Sequence, residues 1–331
     1  MPHRYGNPKD IEPPGKKLSI AGVQVLTTQG DIAANLRRAE ALIRAAPGHA
    51  MFVLPELSST GYGDEVFARR EELAEEVEDE SGRCRSFFGA LAADVGAYIA
   101  YGFLRRRRED GAFCISHAVV APDGCDDDRG SRLVAVYDKM HLCDMGACSE
   151  QAQGITRGAA EPCVFELRSA DAAQSCRVGL CICYDIRFPE LWRRMCWGER
   201  TIDSGGVGSV VGDADVVLHP SAFIRDATFP MWHSFVTTRA VENQIYVLSV
   251  SHAGESFGDS IACPPWVGPI GSEQALVESG GANKAATVEL EPEVLRGCEE
   301  GVVVLSVDAG TLRTVRAQFP YRQDARLWAA E

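Results

Sequence analysis

Three reactive side chains lie at the ends of apolar runs in this sequence. Glu56 ends MFVLPE, Lys139 follows RLVAVYD, and Cys183 ends CRVGLCIC. Together they form a coherent chemical set: a carboxylate can take the proton of a thiol, an ammonium can stabilise an oxyanion, and a thiolate can attack a carbonyl carbon. Because ligands of layered α/β proteins sit at the carboxyl ends of strands, we expect the three side chains to meet there.

The surroundings of Cys183 set it apart from a cysteine that only packs in a core. In GLCICYDIRFPE, residues 179–190, the apolar run stops and polar residues and a proline follow at once. Side chains two residues apart share one face of a strand, so Cys181 should lie one step deeper than Cys183 and be inert. The pattern favours Cys183 as a nucleophile.

Composition and charge narrow the class of protein. The chain has 331 residues, of which 46% are hydrophobic and 24% charged, as in an ordinary globular protein of one large or two modest domains. A net charge of -14 argues against a general nucleic-acid binder, although a local cationic site remains open. No apolar run reaches the roughly 18 residues of a membrane-spanning helix. The polar segment 1–17 resembles neither a secretory signal nor a transit peptide, so we expect a flexible arm.

Twelve cysteines and no signal peptide favour reduced thiols and a cytoplasmic location. No Cys-x2-Cys pair occurs, and one residue separates Cys181 from Cys183, which fits no common structural zinc site. We therefore expect no metal.

Strands and helices alternate, and several strands follow one another, which predicts a layered α/β fold with mixed sheets. The predicted strands are 18–26, 51–56, 97–104, 114–122, 132–139, 176–183, 214–220, 245–253, 260–263, 272–278 and 301–307. Helices are predicted after Asp31, which is a candidate N-cap, and at 82–95, 188–197, 231–244 and 309–317. Pro189 is allowed in the first turn of its helix.

Three stretches stand outside this pattern. The run RRRRED at 105–110 sits between two strands and is followed by acidic residues, which favours a solvated hairpin loop. The glycine-rich segment 201–213 lacks the spacing of a dinucleotide-binding loop. It and the polar segment 280–301 are predicted to be surface insertions.

Five motifs occur in the order found in the nitrilase, or carbon–nitrogen hydrolase, superfamily. They are LPELSSTGY, KMHLCD, GLCICYDIRFPEL, HPSAF and RAVENQIYVLSVS. The resemblance covers about 18–320, and the cysteine motif is most similar to the branch of ω-amidases and deaminated-glutathione amidases. It implies a four-layer α-β-β-α sandwich of two mixed sheets, with a single domain at 18–320 and a tail at 321–331.

The resemblance also assigns roles to the reactive residues. Cys183 corresponds to the nucleophile, Glu56 to the general base and Lys139 to the residue that stabilises the oxyanion. Glu150, in CSEQAQG, is the best match to a second glutamate of the family. The backbone N–H of Tyr184 follows the nucleophile and is a natural second oxyanion donor.

Further residues are expected to shape the site or to support it. Tyr62 and Asp185 should shape it, and Arg187 should hold the nucleophile turn by buried hydrogen bonds. His141 is expected to be structural, and Glu242 with its neighbour Asn243 should anchor a helix to the sheet. The candidates for the pocket wall are Phe223, Arg225, Phe229 and Trp232.

The implied activity is hydrolysis of a small, carboxylate-bearing amide through a cysteine thioester, with release of ammonia and a carboxylic acid and with no metal or organic cofactor. A nitrilase or an N-carbamoyl amino-acid hydrolase using the same three residues is the alternative within the family. A thiol redox sensor and a non-catalytic binding protein are alternatives of other classes. Members of the family associate through helices, here about 188–197 and 229–243, and through the C-terminal tail, so a homodimer or larger homo-oligomer is expected.

Overall fold

Two six-stranded sheets form the centre of the protein in this computed structural model, which describes residues 17–122, 133–145, 149–202, 208–271 and 287–325. The first sheet contains β1 (Leu18–Gln24), β2 (Met51–Val53), β3 (Tyr98–Arg106), β4 (Phe113–Val120), β5 (Leu133–Asp138) and β16 (Gly301–Val307). The second contains β6 (Cys163–Arg168), β7 (Ser175–Leu180), β10 (Val216–Pro220), β11 (Tyr246–Val250), β12 (Ser260–Cys263) and β15 (Glu293–Leu295). Two small hairpins are added by β8 (Glu199–Ile202) with β9 (Gly208–Val211) and by β13 (Gly268–Gly271) with β14 (Thr287–Leu290).

Both large sheets are mixed. The first has the order β16-β1-β2-β3-β4-β5, in which β1, β2 and β3 are parallel and the other neighbours are antiparallel. The second has the order β15-β12-β11-β10-β7-β6, in which β7, β10 and β11 are parallel. Strands β2, β10 and β11 are buried along their whole length because they are covered on both faces, whereas the first half of β7 alternates between exposed and buried residues.

Helices cover the outer face of each sheet, while the inner faces pack against each other. The helices are α1 (Ile32–Ala45), α2 (Asp64–Ala68), α3 (Arg70–Leu73), α4 (Arg83–Val95), α5 (Pro189–Trp197), α6 (Pro230–Asn243), α7 (Ala309–Gln318) and α8 (Tyr321–Asp324). Phe88 of α4 stacks on Tyr101 of β3, whereas α6 packs on β11 and β12. A Cβ atom built on Gly22 of β1 would lie 2.7 Å from a methyl carbon of Val250 in β11, so the two sheets are in close contact. The predicted four-layer sandwich of two mixed sheets is confirmed.

Local signals in the sequence predict where helices begin better than where strands end. The Asp31 side chain accepts a hydrogen bond from the Ala34 N–H at 3.0 Å and caps α1, and Pro189 is the first residue of α5. Strand β7, predicted to run to 183, ends at Leu180 because the following residues turn into a 3-10 helix, Cys183–Arg187.

The arginine run is only partly a solvated loop. Arg105 lies in β3, and its guanidinium makes an ion pair with Asp138 at 3.0 Å, with both side chains 11% exposed. The alternating faces of a strand turn Arg105 inward, which the composition of the run does not reveal.

Some predicted segments fall wholly or partly outside the described residues: the arm at 1–16, the strand 272–278, the insertions at 203–207 and 280–286, and the tail beyond 325. The predicted domain boundaries stay predictions. Within the described ranges, no helix is both long and apolar enough to cross a membrane.

Candidate active site

The three reactive residues converge at the carboxyl ends of their strands. Glu56 lies in the turn after β2, Lys139 directly follows β5, and Cys183 opens the 3-10 helix after β7. Strands β2 and β5 belong to the first sheet and β7 to the second, so the site is assembled where the two sheets meet. No segment of the chain could form it alone.

The ammonium of Lys139 lies between two carboxylates. Its Nζ is 2.8 Å from Oε1 of Glu56 and 2.7 Å from Oε1 of Glu150, and none of the three residues is more than 1% exposed. Pairing of Lys139 with the neighbouring Asp138 is not seen, because that carboxylate binds Arg105 and Ser116. A buried cation held by two carboxylates is expensive to desolvate, which points to a chemical role.

The charges in this group keep Lys139 protonated. Burial by itself would lower the pKa of Lys139, but the carboxylates of Glu150 and Glu56 raise it well above its usual value. Burial raises the pKa of Glu56, the Lys139 charge opposes that shift, and the Glu150 charge adds to it. Glu56 is therefore poised to exchange a proton.

The thiol of Cys183 lies next to this group. It is half-buried and lies beside the Glu56 carboxylate, whose Oε2 accepts a hydrogen bond from the backbone N–H of Ala222 at 2.9 Å. Burial, together with the Glu56 charge, raises the pKa of Cys183 well above its usual value. The resting side chain is therefore a thiol, and the carboxylate that can remove its proton is already in contact. Cys181, by contrast, is fully buried in the cluster under α5 and α6.

Two non-glycine residues at the site adopt left-handed backbone conformations. Cys183 has φ 44° and Leu57, directly after Glu56, has φ 48°. Such conformations cost roughly 1–3 kcal/mol each and persist only where the surrounding structure holds them. Both catalytic candidates therefore sit on strained turns.

Two buried histidines hold these turns, and neither of them is among the site residues predicted from the sequence. His219 Nε2 lies 2.8 Å from the carbonyl oxygen of Cys183, and His252 Nε2 lies 2.7 Å from the carbonyl oxygen of Glu56. The available signal was their position after apolar strand runs, in HPSAF and SVSHA.

Glu150 is tied in place by two donors besides Lys139. The Tyr62 hydroxyl donates to Glu150 Oε1 at 2.7 Å, and the backbone N–H of Cys143 donates to Oε2 at 2.8 Å. Tyr62 thus contacts the site through Glu150.

Asp185 organises the turn that follows Cys183. It is fully buried and accepts hydrogen bonds from the backbone N–H groups of Ile182 (3.0 Å) and His141 (2.9 Å) and from the Tyr137 hydroxyl (2.8 Å). The His141 ring, which stacks on Phe188 at 3.6 Å, also faces Asp185 through Nδ1 at 2.7 Å. These contacts fit the structural roles expected of Asp185 and His141.

The supporting role expected of Arg187 belongs to Arg239. The Arg187 guanidinium lies over the rings of Tyr184 (5.4 Å) and Phe235 (5.2 Å), and its Nε has no hydrogen-bond partner among the described residues. Arg239 Nε instead donates to the Ile186 carbonyl at 3.0 Å.

Glu242 holds Arg239 in that position. Its Oε1 accepts a hydrogen bond from Arg239 Nη1 at 2.8 Å, and its carbonyl accepts one from Arg193 of α5 at 3.2 Å. Glu242 therefore ties α6 to the nucleophile turn and to α5, and not to the sheet as expected, because Arg239 on the preceding turn of the helix is within its reach.

The predicted pocket wall is corrected for one residue, Trp232. Trp232 is fully buried and stacks behind Phe223 at 5.4 Å, so it supports the wall without forming it. Arg225 is engaged by Asp259 (2.9 Å) and stacks over Phe229 at 4.6 Å. Phe223 directly follows Ala222, whose backbone N–H donates to Glu56 Oε2 at 2.9 Å, so it remains a candidate for the wall.

Gly102 of β3 leaves room for the Glu56 turn. A Cβ atom there would lie 2.4 Å from both the Pro55 carbonyl oxygen and the Leu57 nitrogen. We expect Gly102→Ala to lower the free energy of unfolding by about 1–3 kcal/mol, as overpacking does, and to reduce activity by displacing Glu56. Urea unfolding of purified variants measures the first effect. Gly301→Ala, whose Cβ would meet only the flexible Leu295 side chain, is the matched control; equal losses in both variants would contradict this account.

The described part of the chain contains no group of side chains able to hold a metal ion, that is, no cluster of three or more His, Cys, Asp or Glu residues. The donors at the site are committed to one another: the Glu56 and Glu150 carboxylates already surround the Lys139 ammonium.

Comparison with known proteins places this arrangement in a family. The carbon-nitrogen hydrolase family model matches residues 19–316. The chain is 28% identical to the omega-amidase NIT2 of Homo sapiens over 278 residues, which is 80% of this chain and 87% of that protein. It is 26% identical to the deaminated glutathione amidase of Dictyostelium discoideum over 309 residues, which is 88% of this chain and 94% of that protein.

A solved structure shares the fold. Nit3 of Saccharomyces cerevisiae, described as a member of branch 10 of the nitrilase superfamily, matches with a TM-score of 0.66 at 21% identity, covering 93% of this chain and 96% of that one. At this identity the likeness supports the architecture alone.

Proposed function

The chain belongs to the carbon–nitrogen hydrolase family, and we propose that it cleaves the amide bond of a small carboxylate-bearing molecule through a thioester on Cys183. As a member of this family it is a hydrolase of carbon–nitrogen bonds other than peptide bonds. The observation that carries the proposal is the convergence of Cys183, Glu56 and Lys139 at the ends of three strands, with the Cys183 thiol beside the Glu56 carboxylate and the Lys139 ammonium 2.8 Å from that carboxylate.

The first step forms the thioester. Glu56 takes the proton of Cys183 as sulfur attacks the amide carbon, so that a thiolate need not exist in the resting enzyme. The Lys139 ammonium stabilises the oxygen that gains negative charge. When the carbon–nitrogen bond breaks, the proton on Glu56 passes to nitrogen and ammonia leaves.

The second step releases the acid. Glu56, again ionised, takes a proton from water as the water oxygen attacks the thioester carbon, and the proton then returns to the sulfur. Glu150 holds Lys139 from the other side at 2.7 Å, which keeps the ammonium aimed at the reaction centre while Glu56 is neutral. This second carboxylate gives Lys139 a counter-charge throughout the cycle.

A second donor for the oxyanion is the backbone N–H of Tyr184. It has no hydrogen-bond partner among the described residues and directly follows the nucleophile. Together with Lys139 it would bind the oxygen from two directions, as preorganised donors do.

The carboxylate of the substrate would bind Arg187. This residue is half-buried one turn beyond Cys183, is held between two aromatic rings, and has an Nε without a described partner. Hydrogen bonds to charged groups contribute about 1.5–3 kcal/mol, so we expect Arg187→Gln to raise KM for a carboxylate-bearing amide roughly 10- to 100-fold. The KM of an uncharged amide of the same length is the internal control. Equal changes for both substrates would place the carboxylate elsewhere.

A substrate panel tests the proposed activity directly. Ammonia release should be measured with ω-amides of dicarboxylic acids, deaminated glutathione, N-carbamoyl compounds and nitriles, with Cys183→Ala beside the wild type. Release from the carboxylate-bearing amides alone supports the proposal. Release only from nitriles or carbamoyl compounds would replace it by one of those activities.

We further propose that the chain forms a homodimer or a larger homo-oligomer through α5 and α6. Met231, near the start of α6, is 50% exposed, and the adjoining Ile224 is 44% exposed. Large apolar side chains at a surface often mark contacts between subunits. Light scattering would show the oligomer, and Met231→Glu should weaken it; a monomer at micromolar concentration would contradict the proposal. The cytoplasmic location stays a prediction.

A further inference from the structure

A chain of three buried side chains ends on the peptide bond that follows the nucleophile. Trp232 Nε1 lies 2.8 Å from Ser249 Oγ, which lies 2.7 Å from His219 Nδ1. His219 Nε2 lies 2.8 Å from the carbonyl oxygen of Cys183. Trp232, Ser249 and His219 are all fully buried.

The direction of these hydrogen bonds follows from donor chemistry. An indole N–H can only donate, and a carbonyl oxygen can only accept. Hence Trp232 donates to Ser249, and His219 must carry its hydrogen on Nε2 to donate to Cys183. Nδ1 of the neutral ring then accepts a hydrogen bond, and the Ser249 hydroxyl donates it. Burial lowers the pKa of His219 to about 4, so the ring is neutral at physiological pH.

The carbonyl that His219 holds belongs to the same planar amide as the backbone N–H of Tyr184. Fixing the oxygen end of this amide therefore fixes the direction of its N–H. A hydrogen bond to the oxygen also polarises the amide and strengthens its N–H as a donor. Because Cys183 has a strained φ of 44°, the orientation of this amide depends on such external contacts.

We propose that His219 is the positioning residue of the oxyanion site. The hydrogen bond from Ser249, which itself accepts one from Trp232, holds His219 in the tautomer with its hydrogen on Nε2. His219 orients and polarises the Cys183–Tyr184 amide so that the N–H meets the oxygen that becomes negative. This inference rests on the proposed function in one respect, namely that Tyr184 N–H receives that oxygen. His252 makes the analogous contact with the Glu56 carbonyl, but that amide is not the one that follows the sulfur.

Two reactions of Cys183 separate this role from a general structural one. Iodoethane, which has no carbonyl group, alkylates the sulfur at a saturated carbon by displacing iodide while the thiol proton passes to Glu56, so no oxyanion forms. A small aliphatic aldehyde instead adds to sulfur through its carbonyl carbon, and the oxygen of the hemithioacetal occupies the oxyanion site. The aldehyde concentration that protects Cys183 from alkylation thus reports on that site without any turnover.

The test compares His219→Phe, which keeps a ring but no donor, with His219→Gln, whose amide N–H can reach the carbonyl. In His219→Phe we expect the aldehyde concentration needed for protection to rise about 10- to 100-fold. This is less than the roughly 10²- to 10³-fold loss of rate that follows deletion of an oxyanion donor, because the Tyr184 N–H is still present. The rate of alkylation should stay within about threefold of the wild-type rate. His219→Gln should recover most of the protection. If a folded His219→Phe variant is protected by the same aldehyde concentration as the wild type, the proposal is overturned. It is also overturned if the variant loses alkylation rate and aldehyde protection by equal factors.

Control variants keep the test decisive. His233 also places Nε2 at 2.7 Å from a backbone carbonyl, that of Asp259, so His233→Phe removes the same kind of bond outside the site and should leave protection unchanged. Ser249→Ala should weaken protection less than His219→Phe does. In the double variant it should cause no loss of protection beyond that of His219→Phe, and additive losses would contradict the chain of bonds.

If His219→Phe fails to fold, Ser249→Ala and His219→Gln carry the test. Should the wild type bind aldehyde but hydrolyse no amide, the role of His219 stands while the proposed function fails.

Discussion

Replacing Lys139 by methionine should abolish ammonia release and lower the free energy of unfolding by about 3–5 kcal/mol, the cost of breaking a buried ion pair. Methionine has a similar length but no charge. The variant would leave the carboxylates of Glu56 and Glu150, both within 2.8 Å of the former ammonium, buried without a counter-charge. Urea unfolding and an ammonia assay on the same preparation measure the two losses.

The pH dependence of the stability loss identifies its cause. Burial already raises the pKa of Glu56 above its usual 4.5, and removal of Lys139 removes the main opposing influence. A carboxyl group whose pKa is higher in the folded than in the unfolded state costs stability above its unfolded pKa, and this cost disappears below it. The deficit of Lys139→Met should therefore be largest near neutral pH and shrink toward about pH 4.5.

A double variant separates stability from catalysis. Lys139→Met combined with Glu150→Gln removes one of the two buried charges, so it should regain part of the lost stability and none of the activity. If the single variant is as stable as the wild type at neutral pH, or if it still releases ammonia at more than a few per cent of the wild-type rate, the assigned role of Lys139 is wrong.

The second large effect is expected for Cys183→Ala, which should lower kcat by a factor on the order of 10⁴ or more, as the loss of a nucleophile does. The thiol is half-buried and lies beside the Glu56 carboxylate. The variant should therefore fold as the wild type does. Cys181, the nearest cysteine in the sequence, is fully buried, so it is not expected to substitute for Cys183.

Cys181→Ala is the matched control. Its thiol lies two residues away, is fully buried, and faces the Leu218 carbonyl at 3.9 Å and not the carboxylate. This variant should keep activity within a few-fold of wild type while losing some stability through a small cavity. If the effects are reversed, the chemistry belongs to the deeper cysteine.

The residues that could be predicted from the sequence are those marked by local pattern. Glu56, Lys139 and Cys183 each follow an apolar run, and this local signal together with the family motifs is enough to single them out. The order of strands and helices predicts a layered α/β fold with mixed sheets, and the family resemblance adds the four-layer sandwich.

The residues that were missed or misplaced depend on contacts that are distant in sequence. His219 meets a carbonyl 36 residues away and His252 one 196 residues away, and no local pattern reports such a pairing. Trp232 is among the residues predicted to line the pocket wall, yet it is fully buried and packs behind Phe223. Arg187 was expected to hold the turn because of its sequence position, but Arg239 from α6 makes that contact instead.

Trapping the acyl group tests the central claim most directly. If Cys183 forms a thioester, hydroxylamine added to the wild type with an amide substrate should divert the product from the carboxylic acid to the hydroxamate without slowing ammonia release. After an acid quench, the acyl mass should be found on the peptide that contains Cys183. Carboxylic acid as the sole product at every hydroxylamine concentration, with no acyl mass on Cys183, would contradict the account.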